Sequence, residues 1–64
     1  MITVNGEPRE LTGTVDELLD ALGVAARRGL AVAIDATVVP RGAWSSTRVE
    51  DGARVEIVTA VQGG

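Results

Sequence analysis

The sequence predicts an α+β fold in which a mixed sheet of four to five strands carries one main helix on one face. The predicted elements follow the order strand, strand, helix, strand, short strand, strand. The last strand is apolar on both faces, which is typical of a strand at the centre of a sheet. If the first and last strands pair in parallel, the helix lies in the right-handed crossover between them.

The amino-terminal segment "MITVNGEPREL" predicts a β-hairpin. Asn5-Gly6 is the dipeptide preferred in a tight type I′ turn between two short strands. Ile2 and Val4 share one face of the first strand and are core candidates. Pro8 cannot donate a backbone hydrogen bond, so we expect the second strand at an edge of the sheet.

The segment "GTVDELLDALG" carries a complete helix signature. Thr14 is placed to cap the amino end, and Glu17, three residues later, completes a capping box. Gly23 is the expected stop. One apolar stripe follows from the spacing i, i+3, i+4 and i+7, and its members are Val15, Leu18, Leu19 and Leu22. The acidic residues on the other face are interpreted as a solvated surface, helped by the helix dipole.

The middle of the chain predicts a connector, two strands and turns. "VAARRGL" is the connector, and its Arg27 and Arg28 are interpreted as solubilising charge, with a docking contact as the alternative. "LAVAI" predicts a strand whose larger side chains face one way, while Ala31 and Ala33 leave the other face open to close approach. "TVVPRGAW" predicts a short strand closed by Pro40. "SSTRVEDGA" is interpreted as polar and irregular, with a turn at Asp51-Gly52.

The segment "RVEIVTAV" predicts the last strand. Its apolar residues occupy both faces, with Val55, Ile57 and Val61 on one and Val58 and Ala60 on the other. Such a strand is either central in the sheet or presents an outer face to a partner. The tail, residues 62–64, leaves directly from this strand and is expected to be flexible, with a reach of roughly 10 Å when extended.

The amino-acid composition limits the functions that the chain could have. The chain has 64 residues, which we interpret as a single domain spanning residues 1–64, with no cysteine, no histidine and a net charge of −3. These absences disfavour side-chain catalysis and a metal site, and the negative charge disfavours a nucleic-acid partner. No segment has the length of a membrane span or the pattern of a signal peptide, so we expect a soluble, cytoplasmic protein.

The ending "AVQGG" has a chemical interpretation. A terminal carboxylate becomes reactive only when another enzyme activates it, typically as a mixed anhydride with a nucleotide. Gly63 and Gly64 lack Cβ atoms, so the backbone can thread a narrow cleft and bring the carbonyl carbon beside a phosphate. The alternative interpretation is a frayed end without a function.

The ordered set of motifs resembles the ThiS family of thiamine-pathway sulfur carriers, within the ubiquitin-like β-grasp proteins. The matching segments are "VNGE", "TVDELLDALG", "LAVAID", "VVPRGAW" and "VEDGARVEIVTAVQGG". Each is weak alone, and their order in so short a chain is specific. Two departures are Ala53, where the family more often has an acid, and Gln62, where a small residue is frequent.

The resemblance implies a carrier and co-substrate that is not itself an enzyme. A ThiF-type adenylyltransferase uses ATP to convert the Gly64 carboxylate into an acyl adenylate. Sulfur from a cysteine desulfurase or another donor then replaces the nucleotide, which leaves a terminal thiocarboxylate, 1-thioglycine, at Gly64. Thiazole synthase accepts that sulfur. The resemblance implies no permanently bound cofactor and no membrane partner.

Docking residues are expected on the strand that leads to the tail. Val58 and Ala60 are the candidates for apolar contact with a partner, and Gln62 lies where the tail enters the partner's channel. Trp44 is interpreted as packing in the core or at an edge, with an interface contact as the alternative. Arg41 is interpreted as solvated.

Three other functions remain open. The small subunit of molybdopterin synthase shares the fold, ending and thiocarboxylate chemistry, but its chains are usually longer and more aromatic. A ubiquitin-like modifier would join Gly64 to lysines of target proteins. A plain binding domain would undergo no chemistry at its end.

Overall fold

Seven strands and one α-helix form within residues 1–24 and 29–59, the part of the chain that the computed structural model describes. The helix is α1 (Val15–Ala21), and a short 3₁₀ helix spans Arg41–Ala43. The strands are β1 (Ile2–Val4), β2 (Glu7–Arg9), β3 (Gly13–Thr14), β4 (Leu30–Ile34), β5 (Thr37–Val39), β6 (Arg48–Val49) and β7 (Arg54–Thr59). Arg27 and Arg28 of the predicted connector lie outside the described residues.

The main sheet contains, in spatial order, β2, β1, β7, β4 and β5 within the described residues. β1 and β7 are parallel, and the other neighbouring pairs are antiparallel. β7 is therefore flanked on both sides, and β2, which contains Pro8, lies at an edge. The predicted central last strand, edge strand and parallel pairing are confirmed, and with them the α+β class.

The first hairpin has the predicted turn. Asn5 and Gly6 both have positive φ, 51° and 86°, as a type I′ turn requires. Val4 pairs with Glu7 directly across this turn. Ile2 and Val4 are buried, as predicted from their shared parity.

The helix begins with the predicted capping box. The Thr14 hydroxyl accepts a hydrogen bond from the Glu17 amide, and the Glu17 carboxylate accepts one from the Thr14 amide at 2.9 Å. Gly13 has φ of +115°, and a Cβ at this position would clash with the Glu17 carboxylate. A glycine is therefore needed immediately before the cap.

The buried core lies between α1 and the main sheet. Val15, Leu18 and Leu19 of the helix are almost completely buried in a cluster with residues of β1, β4, β5 and β7. Leu22, the fourth member of the predicted stripe, is half-buried against that cluster. The helix therefore covers one face of the main sheet.

The interpretation of residues 45–53 as irregular was partly wrong. β6 pairs antiparallel with β3 in a small sheet of two strands, formed by the described residues, with Gly13 opposite Val49. Val49 and Ala53 are buried in the core. Ala53 thus packs inside, where its small side chain contributes to the core, and the predicted Asp51-Gly52 turn follows β6.

This turn also binds the amino terminus. The Met1 ammonium donates a hydrogen bond to Asp51, and the Gly52 amide donates one to the Met1 carbonyl oxygen at 2.8 Å. The hydrogen bond and the opposite charge raise the pKa of the Met1 amine and lower the pKa of Asp51. Both groups are exposed, so solvent screens the pair and its contribution to stability is small.

Candidate functional site

The residues predicted to carry the chemistry lie at the end of the chain. Ala60, Gln62, Gly63 and Gly64 are outside the described residues, so their predicted roles stay predictions. Val58 lies within β7, two residues from Ala60. The site is therefore built from the described residues around Val58.

Val58 lies on the open face of the main sheet. Successive side chains of a strand point to opposite faces. Val55 is completely buried on the helix side, whereas Val58, of opposite parity, is 59% exposed. The predicted outward position of Val58 is confirmed, and its docking role stays a prediction.

An apolar groove of about 310 Å³ runs along this open face. It is lined by Asn5, Ala31, Val32, Ala33, Val38, Glu56 and Val58. We call it the sheet groove. It contains the predicted small face of "LAVAI" and extends over three neighbouring strands, β7, β4 and β5.

The register of the strands explains the shape of the sheet groove. Ala31 lies opposite Val58, and Ala33 lies between Glu56 on one neighbouring strand and Val38 on the other. Because the two alanines are short, the middle strand forms a floor between the larger side chains. The apolar walls on either side of this floor are Val38, which is 69% exposed, and Val58.

The lining offers apolar contact and one charge. Among the described residues that line the sheet groove, only Glu56 is ionisable. Within residues 1–24 and 29–59, no group of three or more acidic side chains is placed to hold a metal ion. An exposed aliphatic surface with a single charged side chain in its lining has the composition of a protein contact.

Trp44 and Arg41 lie away from the sheet groove. Trp44 is only 3% exposed and belongs to the core, which confirms the packing interpretation. Its indole N–H donates to the Val39 carbonyl oxygen. The Arg41 guanidinium lies 5.4 Å from the centroid of the Trp44 ring, within the range of a cation–π contact.

Val38 and Asn5 are lining residues that sequence reasoning missed. Val38 occupies the parity opposite to the buried Val39 in β5, a signal that strand alternation carries. Asn5 was interpreted as a turn residue only, and no local pattern shows that its side chain reaches β7.

Among the described residues, no helix combines the length and the hydropathy needed to cross a membrane.

Comparison with known proteins extends the observations to the end of the chain. The family model described as "ThiS family" matches residues 2–64. The match therefore includes the two last glycines together with the fold.

Two solved structures share this fold. The crystal structure of the thiamine biosynthesis protein ThiS from Geobacter metallireducens has a TM-score of 0.85 and 37% identity, and the alignment covers 98% of this chain and 97% of that one. The solution structure of a thiamine biosynthesis protein from the same organism has a TM-score of 0.78 and 37% identity, covering 98% and 86%. The architecture is the ubiquitin-like β-grasp fold that the resemblance implies.

A curated protein is similar to the chain over one part of its length. A protein named thiazole synthase, from Paramagnetospirillum magneticum, is 37% identical over 65 residues. The match covers 98% of this chain and 20% of that protein. The chain therefore spans about a fifth of the length of this relative.

Proposed function

The chain belongs to the ThiS family of small sulfur carrier proteins in thiamine biosynthesis, and we propose that it carries sulfur as a thiocarboxylate on Gly64. The observation that carries this proposal is the extent of the family match, which runs from Ile2 to Gly64 and includes both glycines. The structural similarity supports it because it covers nearly the whole of a ThiS chain.

The proposed chemistry has two steps, the first at the α-phosphorus of ATP and the second at the carbonyl carbon of Gly64. The Gly64 carboxylate attacks the α-phosphorus of ATP and releases pyrophosphate, which leaves an acyl adenylate. A sulfur nucleophile at the oxidation level of hydrosulfide then attacks the carbonyl carbon and displaces AMP. One carboxylate oxygen leaves with AMP, and the product is the thiocarboxylate.

The residues of the chain indicate which chemical groups the carrier supplies and which its partner enzymes supply. The sequence has no cysteine to hold sulfur as a persulfide on a side chain. A carrier of this composition holds its cargo on the terminal carboxylate, and the partner enzymes supply ATP binding and the catalytic groups. The missing lysines also remove side-chain amines that would attack an activated end of another copy.

The partners of the proposed cycle are a ThiF-type adenylyltransferase, a cysteine desulfurase or another sulfur donor, and thiazole synthase. The similarity to part of a protein named thiazole synthase supports the last of these. In that protein a segment like this chain belongs to the same polypeptide as the rest of a thiazole synthase. A separate chain with this sequence would bring the same segment to a separate enzyme.

In the same proposal, partner enzymes dock on the open face of the main sheet. Val58 and Val38 are the largest exposed apolar side chains on the sheet groove. A partner that covers them holds the body of the carrier, and Ala60 and Gln62 continue the contact toward the reaction centre. The exposed apolar walls and the position of β7 before the tail support this assignment.

Intact-mass spectrometry after reconstitution tests the proposal. The purified chain is incubated with ATP, the adenylyltransferase, a cysteine desulfurase, cysteine and a thiol reductant, and a matched reaction omits ATP. We expect the mass increase of one oxygen-for-sulfur exchange, and only with ATP. An unchanged mass would support the plain binding domain, and conjugates on lysines of other proteins would support the modifier.

The acceptor is tested with the loaded chain. We expect sulfur transfer to the thiazole product when thiazole synthase and its other substrates are added. Transfer to a molybdopterin precursor, with none to thiazole, would identify the small subunit of molybdopterin synthase instead.

A further inference from the structure

The side chain of Asn5 forms two hydrogen bonds with the backbone of one residue in β7. The Ile57 amide donates to Asn5 Oδ1 at 2.9 Å, and Asn5 Nδ2 donates to the Ile57 carbonyl oxygen at 3.1 Å. This is the pattern that a neighbouring strand would make. The side-chain amide therefore replaces a backbone peptide group next to β7.

This contact lies where the backbone ladder between β1 and β7 ends. The last pair in the register is Val4 with Val55, and the Asn5 amide donates to the Val55 carbonyl oxygen at 2.9 Å. After Asn5 the chain turns back into β2. Without the Asn5 side chain, the Ile57 amide and carbonyl would face the β1 side without a backbone partner, and both hydrogen bonds are at an exposed position, so solvent would take the place of the side chain.

We infer that Asn5 is a positioning residue for loading, because it fixes the half of β7 from which the chain continues to Gly64. On the other side, β4 already pairs with β7 as far as Thr59. With Asn5 in place, β7 is held at this point from both sides, by the Asn5 side chain and by β4, so the direction in which the strand leaves the sheet is restricted. The inference rests on the proposed function, since it concerns the delivery of the same carboxylate.

A second turn residue provides a matched control. Asp35 also has positive φ, and its carboxylate accepts a hydrogen bond from the Arg54 amide at 3.0 Å. Its own amide donates to the Arg54 carbonyl oxygen at 2.8 Å. Asp35 thus holds the start of β7, whereas Asn5 holds its later half, and Asp35 does not line the sheet groove.

The test compares Asn5→Gly with Asp35→Gly. Glycine accepts positive φ, so both turns are retained and only the side-chain hydrogen bonds are lost. Hydrogen exchange of the isolated chain is measured first, residue by residue. In Asn5→Gly we expect the exchange protection of the Ile57 amide to fall about tenfold, and in Asp35→Gly we expect it to be retained.

Loading kinetics with the adenylyltransferase and sulfur donor form the second arm. For Asn5→Gly we expect kcat to fall about tenfold at an unchanged KM for the carrier, because β4 still holds Val58 while the tail leaves in more directions. For Asp35→Gly we expect both constants to match those of the original chain, despite a similar decrease in melting temperature.

Four results would overturn the inference: retained protection of Ile57 in Asn5→Gly, unchanged kcat, an equal decrease of kcat in Asp35→Gly, or a rise in KM alone. A rise in KM alone would assign Asn5 to the docking contact. Failure of the proposed function would give a different set of results. The original chain would then not be loaded with sulfur, while the hydrogen-exchange difference between Asn5→Gly and Asp35→Gly would still be observed.

Discussion

The indole N–H of Trp44 donates a hydrogen bond of 2.9 Å to the carbonyl oxygen of Val39, and both residues are buried. Val39 is the last residue of β5, an edge strand of the main sheet. Trp44 follows the 3₁₀ helix, and its carbonyl oxygen accepts from the Asp16 amide in the first turn of α1. Trp44 therefore connects α1 to β5, the strand that carries Val38, one wall of the sheet groove.

Removing this hydrogen bond is expected to destabilise the fold. In Trp44→Phe the aromatic packing is largely kept, while the buried Val39 carbonyl loses its indole donor. We expect the free energy of unfolding to fall by about 1–2 kcal/mol. Urea unfolding followed by circular dichroism measures this without relying on tryptophan fluorescence.

Ser46→Ala is the matched control for Trp44→Phe. It removes an exposed side-chain hydrogen bond to the Ala43 carbonyl oxygen, 3.3 Å long. We expect a change within about 0.5 kcal/mol. If Trp44→Phe were as stable as the original chain, the indole hydrogen bond would make no net contribution to the free energy of unfolding.

The two hairpin turns predict that replacing alanine by glycine in one turn stabilises the protein and that replacing glycine by alanine in the other destabilises it. Ala36 has φ of 70° in the turn between β4 and β5, a conformation that costs L-residues energy. Ala36→Gly is expected to stabilise the protein by about 0.5–1 kcal/mol, after the loss from the more flexible unfolded chain is included.

Gly6→Ala is the reciprocal substitution in the first hairpin. A Cβ at Gly6 meets no atom within 4 Å, so any effect comes from its φ of 86° and not from a clash. We expect a destabilisation of about 1 kcal/mol, measured by thermal unfolding. Equal melting temperatures for all three proteins would show that neither turn stores backbone strain.

Val58→Asp tests the docking surface. Because Val58 is 59% exposed, we expect the melting temperature to change little. A carboxylate in the middle of an apolar contact is costly to desolvate, so we expect the KM of the adenylyltransferase for the carrier to rise by about tenfold or more.

The control for Val58→Asp adds the same charge elsewhere. Ser45 is exposed in the segment after the 3₁₀ helix and does not line the sheet groove. Ser45→Asp is expected to leave KM unchanged. If both variants raised KM equally, the effect would come from net charge, and the groove would lose its assigned role.

Elements with a local chemical signature could be predicted from the sequence. The Asn5-Gly6 turn needs two residues that accept positive φ, and the capping box needs Thr14 and Glu17 three residues apart. The central position of β7 was predicted because both of its faces are apolar. Each of these signals is contained in a few neighbouring residues.

The missed features depend on contacts between distant segments. β6 has two residues, which is too short for an alternating pattern, and Val49 is buried in a core cluster built from residues that are distant in the chain. The turn at Asp35 and Ala36 was missed because alanine is a poor choice for positive φ. The shape of the sheet groove follows from strand register, which a single sequence does not specify.

Deleting Gly64 separates folding from loading. The last residue of the buried core that the structure describes is Val55, so we expect the shortened chain to keep its melting temperature and to gain no sulfur. Gly64→Ala is the milder variant, and we expect it to fold normally and load slowly, because its Cβ would clash in the narrow channel that we propose for the partner. Normal loading of the shortened chain would contradict the assignment of Gly64.

The position of the sulfur atom is measured most directly by fragmenting the loaded chain in a mass spectrometer. We predict that every fragment containing Gly64 carries the mass of one oxygen-for-sulfur exchange and that every fragment ending before Gly64 has the unmodified mass. Sulfur found on a fragment that lacks Gly64 would contradict a carrier that uses its terminal carboxylate.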